Sequence, residues 1–209
     1  MQEISSNNKR IAKNTVSLYI RMLITMLVGL YTSRVVLQTL GVEDFGIYNV
    51  VGGIVTMCVF ISNTLSSASQ RFFAFEIGRN DNVQLRKVFS TTLFIYVAFV
   101  LVILVLAETV GLWFVENKLN IPPARETAAR FVYHFSVLSF LASIIRVPYN
   151  ALIIARERMG FYAWISIAEA ALKLLIVYLL VCFSFDKLKL YAFLMFFVVF
   201  LITLIYVVY

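Results

Sequence analysis

Uninterrupted apolar runs, separated by short stretches where the charges collect, set the plan of this chain. Residues 88–107 carry no charge, and neither do 45–70 or 190–209. About 20 helical residues, at 1.5 Å each, cover about 30 Å, the thickness of a bilayer's hydrocarbon core. Strands of a membrane barrel alternate between apolar and polar over about 10 residues. The run LFIYVAFVLVILVLA at 93–107 does not alternate. Lipid offers no partner to a free backbone group, so such runs must be helices. The pattern predicts an all-α fold: a polytopic transmembrane helix bundle filling residues 1–209. Its six spans are expected at about 14–37, 46–70, 84–107 (continuing towards Trp113), 123–145, 161–183 and 190–209.

Composition agrees. Hydrophobic residues make up 62% of the chain, against about 45–50% in soluble domains. The basic N-terminus (Lys9, Arg10, Lys13) precedes an apolar stretch too long for a secretory signal, and no small-residue cleavage site follows it. The first apolar stretch is therefore expected to stay as a membrane helix. The last span runs into Tyr209 without closing charges, as a partial reading frame would.

The connectors predict an orientation. With the N-terminus in the cytoplasm, ten basic residues fall inside: Lys9, Arg10, Lys13, Arg71, Arg79, Arg86, Lys87, Arg146, Arg156 and Arg158. Six fall outside: Arg34, Lys118, Arg125, Arg130, Lys187 and Lys189. Positive charge prefers the cytoplasmic side, so a cytoplasmic N-terminus is expected. Asn120 is placed to cap a helix starting at Pro122-Pro123, and Glu126 and Arg130 share a helix face at i,i+4.

Candidate chemistry is confined to polar residues inside the spans. Glu169 and Lys173 sit at i,i+4 in FYAWISIAEAALKLLIVYLLVCF. A charge at mid-membrane costs about 2.5–3.5 kcal/mol on insertion scales, so this helix should face protein or a wet cavity. The pair is either an internal bridge that orients the bundle or part of a substrate or ion path. Arg21 and Arg34 lie about one turn from each end of the first span. They either snorkel to headgroups or face a cavity, where the planar guanidinium suits phosphate. In the second span, Asn49, Asn63 and Gln70 with Ser62, Ser66, Gly52 and Gly53 serve tight helix packing or a polar cavity wall.

Other classes find no footing. Cys58 and Cys182 lie in separate apolar runs and read as small core residues. His134 opens the run FVYHFSVLSF and reads as a headgroup-level side chain or a proton-coupling group. No Walker loop, HExxH or nucleophile elbow occurs. No catalytic residue, metal or cofactor is expected, and no nucleic-acid partner.

Three stretches carry a resemblance: LGVEDFGIYNVV at 40–51, SSASQRFFAFEIGRND at 66–81 and VPYNALIIARERMGFYA at 147–163. Their order and spacing resemble the polysaccharide transporters of the multidrug/oligosaccharidyl-lipid/polysaccharide exporter superfamily, the O-antigen and capsule repeat-unit flippases. The resemblance implies two six-helix lobes around a cavity, of which this chain supplies the first. It also implies transport of a lipid-linked oligosaccharide, a glycan on polyprenyl pyrophosphate, to the outer leaflet of a bacterial inner membrane. The second lobe would be a missing half or a second copy, and membrane lipids the surroundings. Arg21, Arg34 and Lys173 are the cations available for the pyrophosphate. The alternatives are a sodium- or proton-coupled multidrug exporter of the same superfamily, which would need an unpaired acid, and an inactive N-terminal fragment.

Overall fold

The structure is a computed structural model that describes residues 2–56, 59–182 and 186–209, side chains 2–11, 13 and 61 excepted. Cys58, Phe183 and the side chains of Lys9, Arg10 and Lys13 lie outside the described residues. The elements are α1 (Gln2–Thr56), α2 (Val59–Gly78), α3 (Asn82–Leu106), a π-turn (Ala107–Gly111), α4 (Leu112–Lys118), a 3-10 turn (Pro123–Arg125), α5 (Glu126–Ala155), α6 (Met159–Cys182) and α7 (Lys187–Val208). No strand occurs among the described residues. Among the described residues, five helical stretches are long and apolar enough to cross a membrane: Asn14–Thr56, Asn82–Lys118, Pro123–Ala155, Met159–Cys182 and Lys187–Val208. The protein is an all-helical bundle suited to a membrane.

The first of those stretches has 43 residues, about 65 Å of helix, twice a bilayer core. It is broken at Gly41, where φ is 82° and ψ 169°, backbone space that essentially only glycine occupies. Nothing crowds an added Cβ there, so the torsion alone calls for glycine. Contacts show that the chain reverses at this corner. Before it, Arg21 lies over Tyr162 near the start of α6. Just after it, Asp44 pairs with Arg125 at the start of α5. Further on, Ser69 meets Tyr96 and Phe73 packs beside Ala151 near the end of α5. The second arm (42–56) and α2 thus run back antiparallel to the first arm.

The fold has two half-bundles. In one, Ile47 and Val51 of the second arm join Tyr96, Val132, Tyr133 and Ile144 of α3 and α5. In the other, Val36 of the first arm joins Ile176, Val177 and Leu180 of α6 and Ile202 and Tyr206 of α7. Helix α5 touches α1, α2, α3, α6 and α7 and is the central post. Small residues set one close approach. A methyl at Gly111 would overlap the Tyr133 hydroxyl, which donates 2.7 Å to the Ala107 carbonyl in the π-turn.

Three local expectations change. The span expected to stop near residue 145 continues as helix through Arg146 and the buried Pro148 to Ala155. A charge read as the edge of the membrane is in fact paired inside the bundle. Asn120 makes no cap, since Pro122 occupies that position and no side chain bonds the turn. Arg130 turns from Glu126 to Glu116, 3.1 Å away on α4. Moving Arg146 out of the connectors leaves the basic bias with the same sign.

Candidate functional site

Glu169 sits ten residues into α6, about 15 Å from its start and near mid-helix. A bare carboxylate there would be costly, and two bases meet it. Lys173 Nζ donates 2.8 Å to Oε1 from one turn along the same helix. Arg146 Nη1 donates 3.1 Å to Oε2 from α5. The sequence shows the first contact through its i,i+4 spacing. It hides the second, which spans 23 residues and joins the two half-bundles. Arg146 is also held over the Tyr206 ring, 5.7 Å from its centroid.

Two cavities flank this bridge. A cavity of about 360 Å³ lies between the first arm of α1 and α6, lined by Arg21, Thr25, Thr32, Ser166, Glu169 and Lys173 among others. The Arg21 guanidinium is stacked 4.3 Å over Tyr162. Its Nε and Nη1 are buried and find no hydrogen-bond partner among the described residues, as does the Thr32 hydroxyl. Buried donors on a permanent cation are seldom left without acceptors. Arg21, Lys173 and Arg146 outnumber Glu169, so the site carries two positive charges in excess. It is built to attract an anion.

The second cavity, about 500 Å³, lies between the second arm of α1, α5 and α7. Tyr48, Asn49, Ser136, Ser139, Ser143 and again Lys173 line it. Ser139 and Ser143 donate back to their own helix, at 2.7 and 2.6 Å, so their oxygens keep accepting capacity. Asn49 donates 2.8 Å to the Phe45 carbonyl and presents its oxygen. Val55, Val59, Phe140, Met195 and Val199 make the rest of the lining apolar, so the serines form a polar stripe on a greasy wall.

The predicted site residues therefore divide. Arg21, Glu169 and Lys173 come together, with Asn49 in the adjoining cavity. Arg34 is exposed and lines neither cavity. Asn63 is exposed, and Gln70 bonds Ser66 at 3.2 Å away from both cavities. These three lie outside the two cavities. His134 is half-exposed and meets Glu108 at 3.2 Å. Sequence reasoning passed over Arg146 and the serine stripe at 136, 139 and 143. The stripe was readable, since that spacing keeps all three on one face of a helix. Among the described residues no group of three or more His, Cys, Asp or Glu could hold a metal ion. Comparison of the chain with protein-family models, with curated proteins and with solved structures found no match.

Proposed function

We propose that the protein is one six-span lobe of a transporter that carries lipid-linked oligosaccharide from the cytoplasmic to the outer leaflet of a bacterial inner membrane. In this reading the N-terminus is cytoplasmic and Gly41 marks an outer turn. The reading rests above all on the buried, unbonded donors of Arg21 in a cavity it shares with Lys173. A pyrophosphate brings several acceptor oxygens to a planar donor fork. The serine stripe of the adjoining, largely apolar cavity offers hydroxyls to a sugar. A cation exporter needs a free acid in the cavity, and the acid in this one, Glu169, is held by two bases, while the buried Glu76 lines neither cavity. Transport would come from rocking this lobe against a second one, a partner domain or a second copy.

The test is translocation of a polyprenyl-pyrophosphate oligosaccharide in membrane vesicles carrying the full chain. Arg21→Ala and Lys173→Ala are each expected to slow it about tenfold or more, the order of one charge-assisted hydrogen bond lost. Arg34→Ala should leave it within about twofold, as expected of an exposed charge. Wild-type rates in both cavity variants would sink the reading.

A further inference from the structure

The geometry points to Glu169 as an internal stand-in for the substrate anion, one that yields Lys173 to an anionic group bound at Arg21. The inference rests on the anionic-substrate reading above and adds how that site is regulated. Four charged groups meet at the seam: Arg21 from α1, Arg146 from α5, and Glu169 and Lys173 from α6. They are not equivalent. Arg21 and Arg146 are each stacked on a ring, Tyr162 and Tyr206. Among the described residues Lys173 stacks on no ring. It carries a compact charge on a flexible four-carbon stem with rotatable donors, and it alone of the four lines both cavities.

The carboxylate is shared so that one partner can leave. Oε1 serves Lys173 and Oε2 serves Arg146. If Lys173 departs, Arg146 still neutralises Glu169, and the desolvation penalty of a lone buried carboxylate is avoided. If Arg146 departed, α5 and α6 would lose this polar link. The arriving anion would find two unbonded N–H groups of Arg21 and the Thr32 hydroxyl already in its cavity. Lys173 spends one ammonium donor on Glu169 and completes that set by swinging from the carboxylate towards the anion. The same swing withdraws its ammonium from the serine-lined cavity, opening that side to the uncharged part of the substrate. Glu169 is therefore a competitor for the ligand, and the contact is autoinhibitory.

This arrangement predicts the reverse of what a supporting residue would give. Inorganic pyrophosphate is titrated against the full chain in detergent micelles, with binding read by calorimetry. Glu169→Gln keeps the shape of the side chain and removes the competing charge. It is expected to tighten pyrophosphate binding about tenfold, the order of one charge-assisted hydrogen bond that no longer has to be displaced. Glu169→Asp withdraws the carboxylate by one methylene and should tighten it less; it carries the test alone should E169Q fail to fold. Unchanged or weaker binding in the folded variant overturns the stand-in role. Arg21→Gln separates the two ideas. If it abolishes binding while the Glu169 variants gain nothing, the anionic cavity stands and the competition fails. If no variant binds pyrophosphate, both fail.

Discussion

Two ion clusters, each of arginine, lysine and carboxylate side chains, sit at different depths and do different work. At mid-bundle, one carboxylate lies between Arg146 and Lys173, with Arg21 unbonded nearby. At the Gly41 corner, Arg125 lies between two carboxylates, 3.0 Å from Asp44 and 3.5 Å from Asp186, and Lys189 stands 3.8 Å from Asp186. The corner cluster balances its charges. It ties the turn between the two arms of α1 to the starts of α5 and α7, as a clamp would. The mid-bundle cluster has more bases than acids and faces a cavity. Stoichiometry and access, rather than residue type, separate a structural brace from a binding site.

The largest stability effects should come from the clamp. Arg125→Ala leaves Asp44, only 6% exposed, without an ion-pair partner among the described residues. An unsatisfied buried acceptor costs about 1–3 kcal/mol, so denaturation in mixed micelles should shift by that amount. Gly41→Ala attacks the same corner through the backbone. At φ 82° and ψ 169° a side chain costs of order 1–3 kcal/mol, and the loss should appear without any change in the ion pairs. If both variants unfold at the wild-type midpoint, the corner is not a clamp.

Arg21→Gln should behave in the opposite way. A guanidinium with two buried donors unbonded contributes little to the fold, and removing a buried unpaired charge relieves a desolvation cost. The variant's midpoint should stay within about 0.5 kcal/mol of wild type or rise, as for changes away from structural contacts. A loss as large as that of Arg125→Ala would make Arg21 a structural residue and erase the contrast between the clusters.

The helical elements were legible because lipid-facing helices must be apolar for about 20 residues, and that signal is local. The corner at Gly41 was legible too, since it falls in the gap between the expected spans 14–37 and 46–70. What escaped was every pairing between distant residues. Glu169 and Lys173 announced themselves by spacing, whereas Arg146 sat just past a hydrophobic run and looked like a connector. Its partner lies 23 residues on, and nothing local says that a charge at the end of an apolar run turns inward. Arg34 lies outside both cavities for the matching reason. It stands on the same helix as Arg21 in much the same setting, and only the packing of α6 decides which arginine is enclosed. Helix existence is written in periodicity and length, but the facing of a single charge is a tertiary property.

The smallest effect belongs to Lys189, and it sharpens the comparison most finely. Its contact with Asp186 is long, 3.8 Å, and both side chains are about one-third exposed. Exposed pairs of this kind contribute about 0–1 kcal/mol, so Lys189→Ala should shift the unfolding midpoint by less than about 0.5 kcal/mol. Its value lies in what a larger shift would mean. Asp186 caps the start of α7 by accepting from the Leu188 N–H at 3.3 Å while also facing Arg125. If Lys189 holds Asp186 in place for both tasks, its loss weakens the cap and the clamp together, and the cost exceeds that of one exposed pair. A double-mutant cycle of Lys189→Ala with Arg125→Ala decides it. Additive losses mean that the clamp centres on Arg125 alone, while a coupling of about 0.5 kcal/mol or more means that the four side chains act as one network.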